Sequence, residues 1–103
     1  MSDYSYRLSS RAKQVLKKIK DKSLLRKYQE TMQDICHSPF AGDPKVNDLS
    51  GVFSVKFRYV DGEHRVAYTV LEEEGVDPFV LILLVGTREN FYAELKRIWN
   101  ARE

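Results

Sequence analysis

Between Phe53 and Val70 the apolar residues fall on every second position, in two runs separated by Val60-Asp61-Gly62-Glu63. Phe53, Val55, Phe57 and Tyr59 alternate with Ser54, Lys56 and Arg58; Val66, Tyr68 and Val70 alternate with Arg65, Ala67 and Thr69. Period two sends successive side chains to opposite faces, so each run is a strand with one apolar face. The segment between them is turn chemistry, with Gly62 free to take positive φ, and it pairs the two strands antiparallel. Phe79 to Val85 is apolar without alternation, which suits a central strand covered on both faces. Gly86-Thr87 then opens a helix carrying Arg88 and Tyr92. Basic residues from two strands and a helix start therefore converge on one face of a sheet.

The elements before this hairpin are also legible. Tyr4-Ser5-Tyr6-Arg7-Leu8 reads as a short strand with Tyr4, Tyr6 and Leu8 on one side. Ser9 or Ser10 can cap the helix that follows by accepting a free backbone N–H, and Ala12, Val15, Leu16 and Ile19 recur at helical spacing. Asp21 or Ser23 starts a second helix with Leu24, Leu25, Tyr28, Met32 and Ile35 on its inner face. So tight a connection makes an antiparallel helical hairpin, which Ser38-Pro39 ends. Phe40 to Ser50 reads as a loop, Glu72 to Pro78 as a solvated acidic connection, and residues 88 to 100 as the last helix. The predicted order is β-α-α-β-β-β-α, an α+β fold on a mainly antiparallel four-stranded sheet.

A chain of 103 residues, 43% hydrophobic and 31% charged, is expected to form a single domain over 1–103 around one core. No apolar stretch is long enough to span a bilayer, and the N-terminus lacks a signal-peptide run. Cys36 has no partner for an internal disulfide, so a reduced, cytoplasmic setting is expected. Net charge is only +2, and its distribution carries more information. Arg11, Lys13, Lys17, Lys18, Lys20, Lys22, Arg26 and Lys27 crowd the helical hairpin, interrupted only by Asp21. Such a run is either a solvated face or a surface for polyphosphate. A second set, Lys56, Arg58 and Arg65, repels itself unless an anion arrives, because Glu63 reads as sitting at the strand edge. That face reads as anion-binding. His64 shares the parity of Val66 and Tyr68 and reads as a structural histidine; Cys36 reads as a small buried residue. No spacing resembles a metal site, and no cofactor is expected.

L-S-G-V-F-S-V-K-F-R, then G-E-H-R-V-A-Y-T-V, then V-L-I-L-L-V-G-T-R-E-N-F-Y resembles the RelE/ParE toxin superfamily, RelE-type mRNA interferases most of all. Ser38-Pro39-Phe40 and Leu49-Ser50-Gly51 also resemble YoeB toxins. The order of elements is the family's over essentially the whole chain. The resemblance implies a metal-independent, ribosome-dependent endoribonuclease, the toxin of a type II toxin–antitoxin pair. It would cut mRNA in the ribosomal A site by attack of a ribose 2′-hydroxyl on the adjacent phosphate. It further implies catalytic roles for Lys56, Arg65, Arg88 and Tyr92, with Arg58 a more variable basic position. RelE often has a second lysine where this chain has Ser54, and the loop glutamate and terminal histidine of YoeB are missing. Implied partners are a cognate antitoxin, the ribosome and mRNA, and operator DNA through the antitoxin complex only; no membrane is implied.

The chemistry suits these residues. The phosphorane transition state carries extra negative charge that Arg65 and Arg88 would stabilise. Lys56, crowded by arginines, could act as base or as donor. Tyr92 can stack on an unpaired base, while Phe91, in register with Leu95 and Ile98, is the better core residue. Arg58, Ser54 and the hairpin lysines Lys13, Lys17, Lys18 and Lys20 are expected to contact RNA or ribosome. The alternatives are a ParE-type gyrase inhibitor that leaves RNA intact, and a degenerate member that only binds antitoxin and DNA.

Overall fold

The computed structural model describes residues 3–87 and 89–101. Among these residues five strands form one sheet in the order β1-β5-β4-β3-β2, with β1 Ser5–Leu8, β2 Asp43–Pro44, β3 Phe53–Tyr59, β4 Gly62–Leu71 and β5 Phe79–Thr87. Only β1, an edge strand, pairs in parallel, with β5. Three α-helices accompany the sheet among the described residues: α1 Ser10–Lys17, α2 Lys22–His37 and α3 Phe91–Asn100. The fold is the expected α+β arrangement with one strand more. Two residues of the segment read as a loop, Asp43 and Pro44, pair with Ser54 and Phe53.

Local chemistry sets the helix ends. The Ser9 hydroxyl accepts from Ala12 N at 3.0 Å and donates to Leu83 O at 2.7 Å, capping α1 while fixing it to β5. Asp21 Oδ1 accepts from Ser23 N and Leu24 N, and Oδ2 accepts from the Tyr59 hydroxyl at 3.0 Å. The one acid among the hairpin cations is thus the cap of α2 and its tie to β3. Helix α3 begins at Phe91 rather than near 88, because Asn90 adopts a left-handed φ of 58° that helical residues do not share.

The sheet carries a core on each face. One unites Ala12, Leu16, Tyr28, Met32 and Ile35 of the hairpin with Val66, Tyr68, Val80, Ile82 and Val85. The other packs Phe91 and Leu95 of α3, with Leu49 and Val52, on Ala67, Leu83 and Leu84. The pairing explains why β5 does not alternate: Ala67 faces Leu84 but Tyr68 faces Ile82, so Leu83 is an extra residue in a β-bulge. The bulge lets Leu83 and Leu84 both serve the α3 side.

His64 is 3% exposed. Its Nδ1 lies 2.6 Å from the Tyr28 hydroxyl and its Nε2 2.8 Å from Asp61 Oδ1. With Nε2 protonated, the ring donates to the carboxylate and accepts from the phenol, satisfying all three groups. This chain joins α2 to the β3–β4 turn. The His64 bond holds the Asp61 carboxyl below its ordinary pKa, and burial raises that of Tyr28. Tyr28→Phe leaves a buried ring nitrogen without its partner. It should destabilise the protein by about 1–3 kcal/mol in denaturant titrations.

Candidate active site

Strand register assembles the site. Arg65 stands opposite Lys56 on β3 and Gly86 on β5, and Glu63 stands opposite Arg58. Even-numbered residues of β3 and odd-numbered residues of β4 look to the α3 side, away from the helical hairpin. Lys56 and Arg58 are exposed there, and Lys56 keeps 66% of its side-chain surface. Arg65 lies deeper, at 14%.

Three side chains hold Arg65 and its surroundings. Its Nη1 donates to the Tyr92 hydroxyl at 3.0 Å. Its Nη2 lies 3.2 Å from Glu63 Oε2, and Lys56 Nζ lies 3.6 Å from the same oxygen. The sequence reading put Glu63 at the strand edge with no bearing on the basic set. The register instead places it within β4, two residues before Arg65 on the same face, where it lessens the repulsion between Lys56 and Arg65. The contact is one of charge more than of alignment: among the described residues Glu63 Oε2 and Arg65 Nε are buried without a hydrogen-bond partner. Buried polar atoms left in that state are uncommon away from working sites.

Lys45 was read as part of a featureless loop. Its N–H bonds to Val52 O at 2.8 Å, and the 3-10 turn Asn47–Leu49 packs the segment against α3. Thr69 adds a hydroxyl bond to Gly51 O at 2.7 Å. The Lys45 ammonium consequently sits 5.2 Å from the Tyr92 ring centroid, with Asp43 Oδ2 at 3.1 Å. The Arg65 guanidinium lies 5.5 Å from the same centroid. Burial pushes the Tyr92 phenol up, but hydrogen bonding and charge from Lys45, reinforced by Arg65, carry it below its ordinary pKa. Burial works against the charged Lys45, yet its bonds to Asp43 and Tyr92 leave its pKa raised. The only sequence signal for Lys45 was its sign.

The remaining residues divide. Phe91 is buried and Tyr92 half-buried, as the helical register predicted. Ser54, 6% exposed, is buried opposite Asp43. Lys13, Lys17, Lys18 and Lys20 are all exposed, but on the hairpin, whose apolar side packs against the other face of the sheet. These four lysines are therefore apart from the Arg65 face, whereas Lys27 of the same hairpin lines one groove with Lys56. Arg88 lies outside the described residues. Among the described residues no cluster of three His, Cys, Asp or Glu side chains is placed to hold a metal ion, and no helix is long and apolar enough to cross a membrane.

A helical hairpin on one face of such a sheet and a single helix on the other give the RelE-like fold. A doubly arginine-substituted form of the E. coli toxin RelE in the free state matches with a TM-score of 0.73 at 19% identity, over 98% of both chains. The toxin–antitoxin complex RelBE2 from Mycobacterium tuberculosis contains a chain that matches with a TM-score of 0.65 at 26% identity. That match covers 84% of this chain and 100% of the other. No functionally curated protein matches. Residues 7–96 match the model of the ParE-like toxins of type II bacterial toxin–antitoxin systems. The chain belongs to that family, within the RelE/ParE superfamily.

Proposed function

We propose that this toxin is a ribosome-dependent endoribonuclease that cuts mRNA in the A site. The observation that carries the reading is Arg65: a guanidinium recessed in the sheet, held by Tyr92 and Glu63, with Lys56 exposed beside it. A cation fixed before substrate arrives stabilises transition-state charge without reorganising. In this mechanism the ribose 2′-hydroxyl attacks the adjacent phosphate and Arg65 binds the phosphorane oxygens. Lys56 takes the hydroxyl proton or contacts the phosphate, and Arg58 extends the backbone contact. Arg88 is proposed to join Arg65 on the strength of the sequence resemblance. Tyr92 stacks on an unpaired base. An incoming phosphate would compete with Glu63 for Lys56 and Arg65.

The proposed setting is the cytoplasm, with an acidic antitoxin as partner. The M. tuberculosis relative, whose structure is a toxin–antitoxin complex, supports such a partner. Operator DNA would be met only through that antitoxin. Induction of the toxin in a bacterium should stop translation, and primer extension on a reporter mRNA should reveal cuts within codons. A ParE-type gyrase inhibitor is the second reading, favoured by the description of the matching family. It predicts intact mRNA and gyrase-linked DNA breaks in the same cells.

The hairpin lysines supply a contrast. On their separate surface, Lys17, Lys18 and Lys20 would act through ribosomal phosphates. Replacing all three by Gln should weaken ribosome binding, and the log–log salt dependence should fall by about one unit of slope per lysine. The single-turnover cutting rate on saturating ribosomes should stay where it was.

A further inference from the structure

We propose that Lys45 is a positioning residue of this site: with Arg65 it holds the Tyr92 phenol oxygen so that Tyr92 delivers a proton to the departing 5′-oxygen. The inference rests on the nuclease reading and deepens it. Tyr92 is half-buried, and its oxygen accepts from Arg65 Nη1 at 3.0 Å. The Lys45 ammonium, 5.2 Å from the ring centroid, supplies a second cation beside the same phenol. A stacking platform needs neither cation, since stacking uses the ring face alone. Lys45 is itself fixed, because Asp43 at 3.1 Å and the Val52 carbonyl anchor its side chain and backbone. Because the oxygen accepts from Arg65, the hydroxyl keeps its hydrogen for another partner. Cations beside the phenol hold its pKa below the ordinary value and stabilise the phenolate once the proton has left.

The step balances. The 2′-oxygen forms a bond to phosphorus and its proton passes to the base, for which Lys56 is the candidate. The bond from phosphorus to the 5′-oxygen breaks, and that oxygen takes the Tyr92 proton. The products are a 2′,3′-cyclic phosphate and a 5′-hydroxyl. The phenolate left between Lys45 and Arg65 recovers a proton from solvent. Among the described residues, the charged groups around Tyr92 are Lys45 and Asp43 from the β2 segment, Arg65 and Glu63 from β4, and Lys56 from β3. On α3 itself Lys96 pairs with Asp48, 3.9 Å away. A cation lowers a phenol's pKa, so removing Lys45 must raise it.

The test uses the whole chain as wild type, Lys45→Met, Lys45→Arg and Tyr92→Phe. NMR titration of tyrosine labelled at the ring carbon bearing oxygen, assigned through Tyr92→Phe, reports the phenol directly. In Lys45→Met the Tyr92 titration should move up by about one pH unit or more, and Lys45→Arg should restore it. In single-turnover cleavage on programmed ribosomes, the alkaline limb of the pH–rate profile should move up with it. The neutral-pH rate of Lys45→Met should fall roughly tenfold. An unmoved titration overturns the pairing of Lys45 with Tyr92. A titration that moves while the alkaline limb stays fixed overturns the proton-donor role. If wild type cuts no mRNA while the titration still responds to Lys45→Met, the nuclease reading falls and the pairing stands.

Discussion

Arg65→Ala is expected to slow mRNA cleavage by roughly a hundredfold or more while the protein still binds ribosomes. Arg65 comes from the centre of the sheet, opposite Lys56, and its guanidinium is fixed by Tyr92 and Glu63 in the free protein. An interaction preorganised in this way acts mainly on charge that develops at the transition state. Its loss should lower kcat far more than it weakens binding. Truncation also leaves Glu63 with Lys56 alone, so a modest change in stability should accompany it, measurable by denaturant titration. Arg65→Lys should recover little, because one ammonium cannot reach the Tyr92 hydroxyl and the phosphate together.

Tyr92→Phe separates the structure from the simpler expectation drawn from the sequence. If stacking were the whole role, phenylalanine would keep most of the activity. The structure gives the hydroxyl work of its own, since it accepts from Arg65 Nη1. Phenylalanine releases a largely buried guanidinium whose Nε is already without a partner. Loss of the proposed proton donor, together with the bond that fixes Arg65, should lower cleavage by about a hundredfold or more. Tyr92→Ala should fall further, through loss of the ring. Single-turnover rates on saturating ribosomes measure both, and a Phe variant as fast as wild type would return Tyr92 to stacking alone.

What the sequence could convey depended on how far each feature is set by local chemistry. Strands β3 and β4 were legible because their inner residues repeat at period two, and α1 and α2 because Ser9 and Asp21 cap amphipathic runs. β2 was not, because a two-residue strand containing Pro44 has no period; it forms only because β3 offers it an edge. The start of α3 shifted because the left-handed turn at Asn90 carries no periodic signal. In the site, Lys56 and Arg65 were placed on one face by parity alone. Glu63 was misjudged because a residue just after a turn belongs to loop or strand according to register, which is a property of two strands together. Lys45 was missed for the same kind of reason. Nothing within its own segment brings it to Tyr92; the Val52 carbonyl and the packing of the 3-10 turn on α3 do.

The central claim is that the cationic face around Arg65 breaks RNA on the ribosome. The most direct measurement mixes purified toxin with ribosomes carrying a defined mRNA and an empty A site, and maps the ends by primer extension. Cleavage confined to the A-site codon, absent without ribosomes and suppressed in Arg65→Ala, is the predicted result. Intact mRNA under those conditions, with gyrase inhibited by the same preparation, would contradict it.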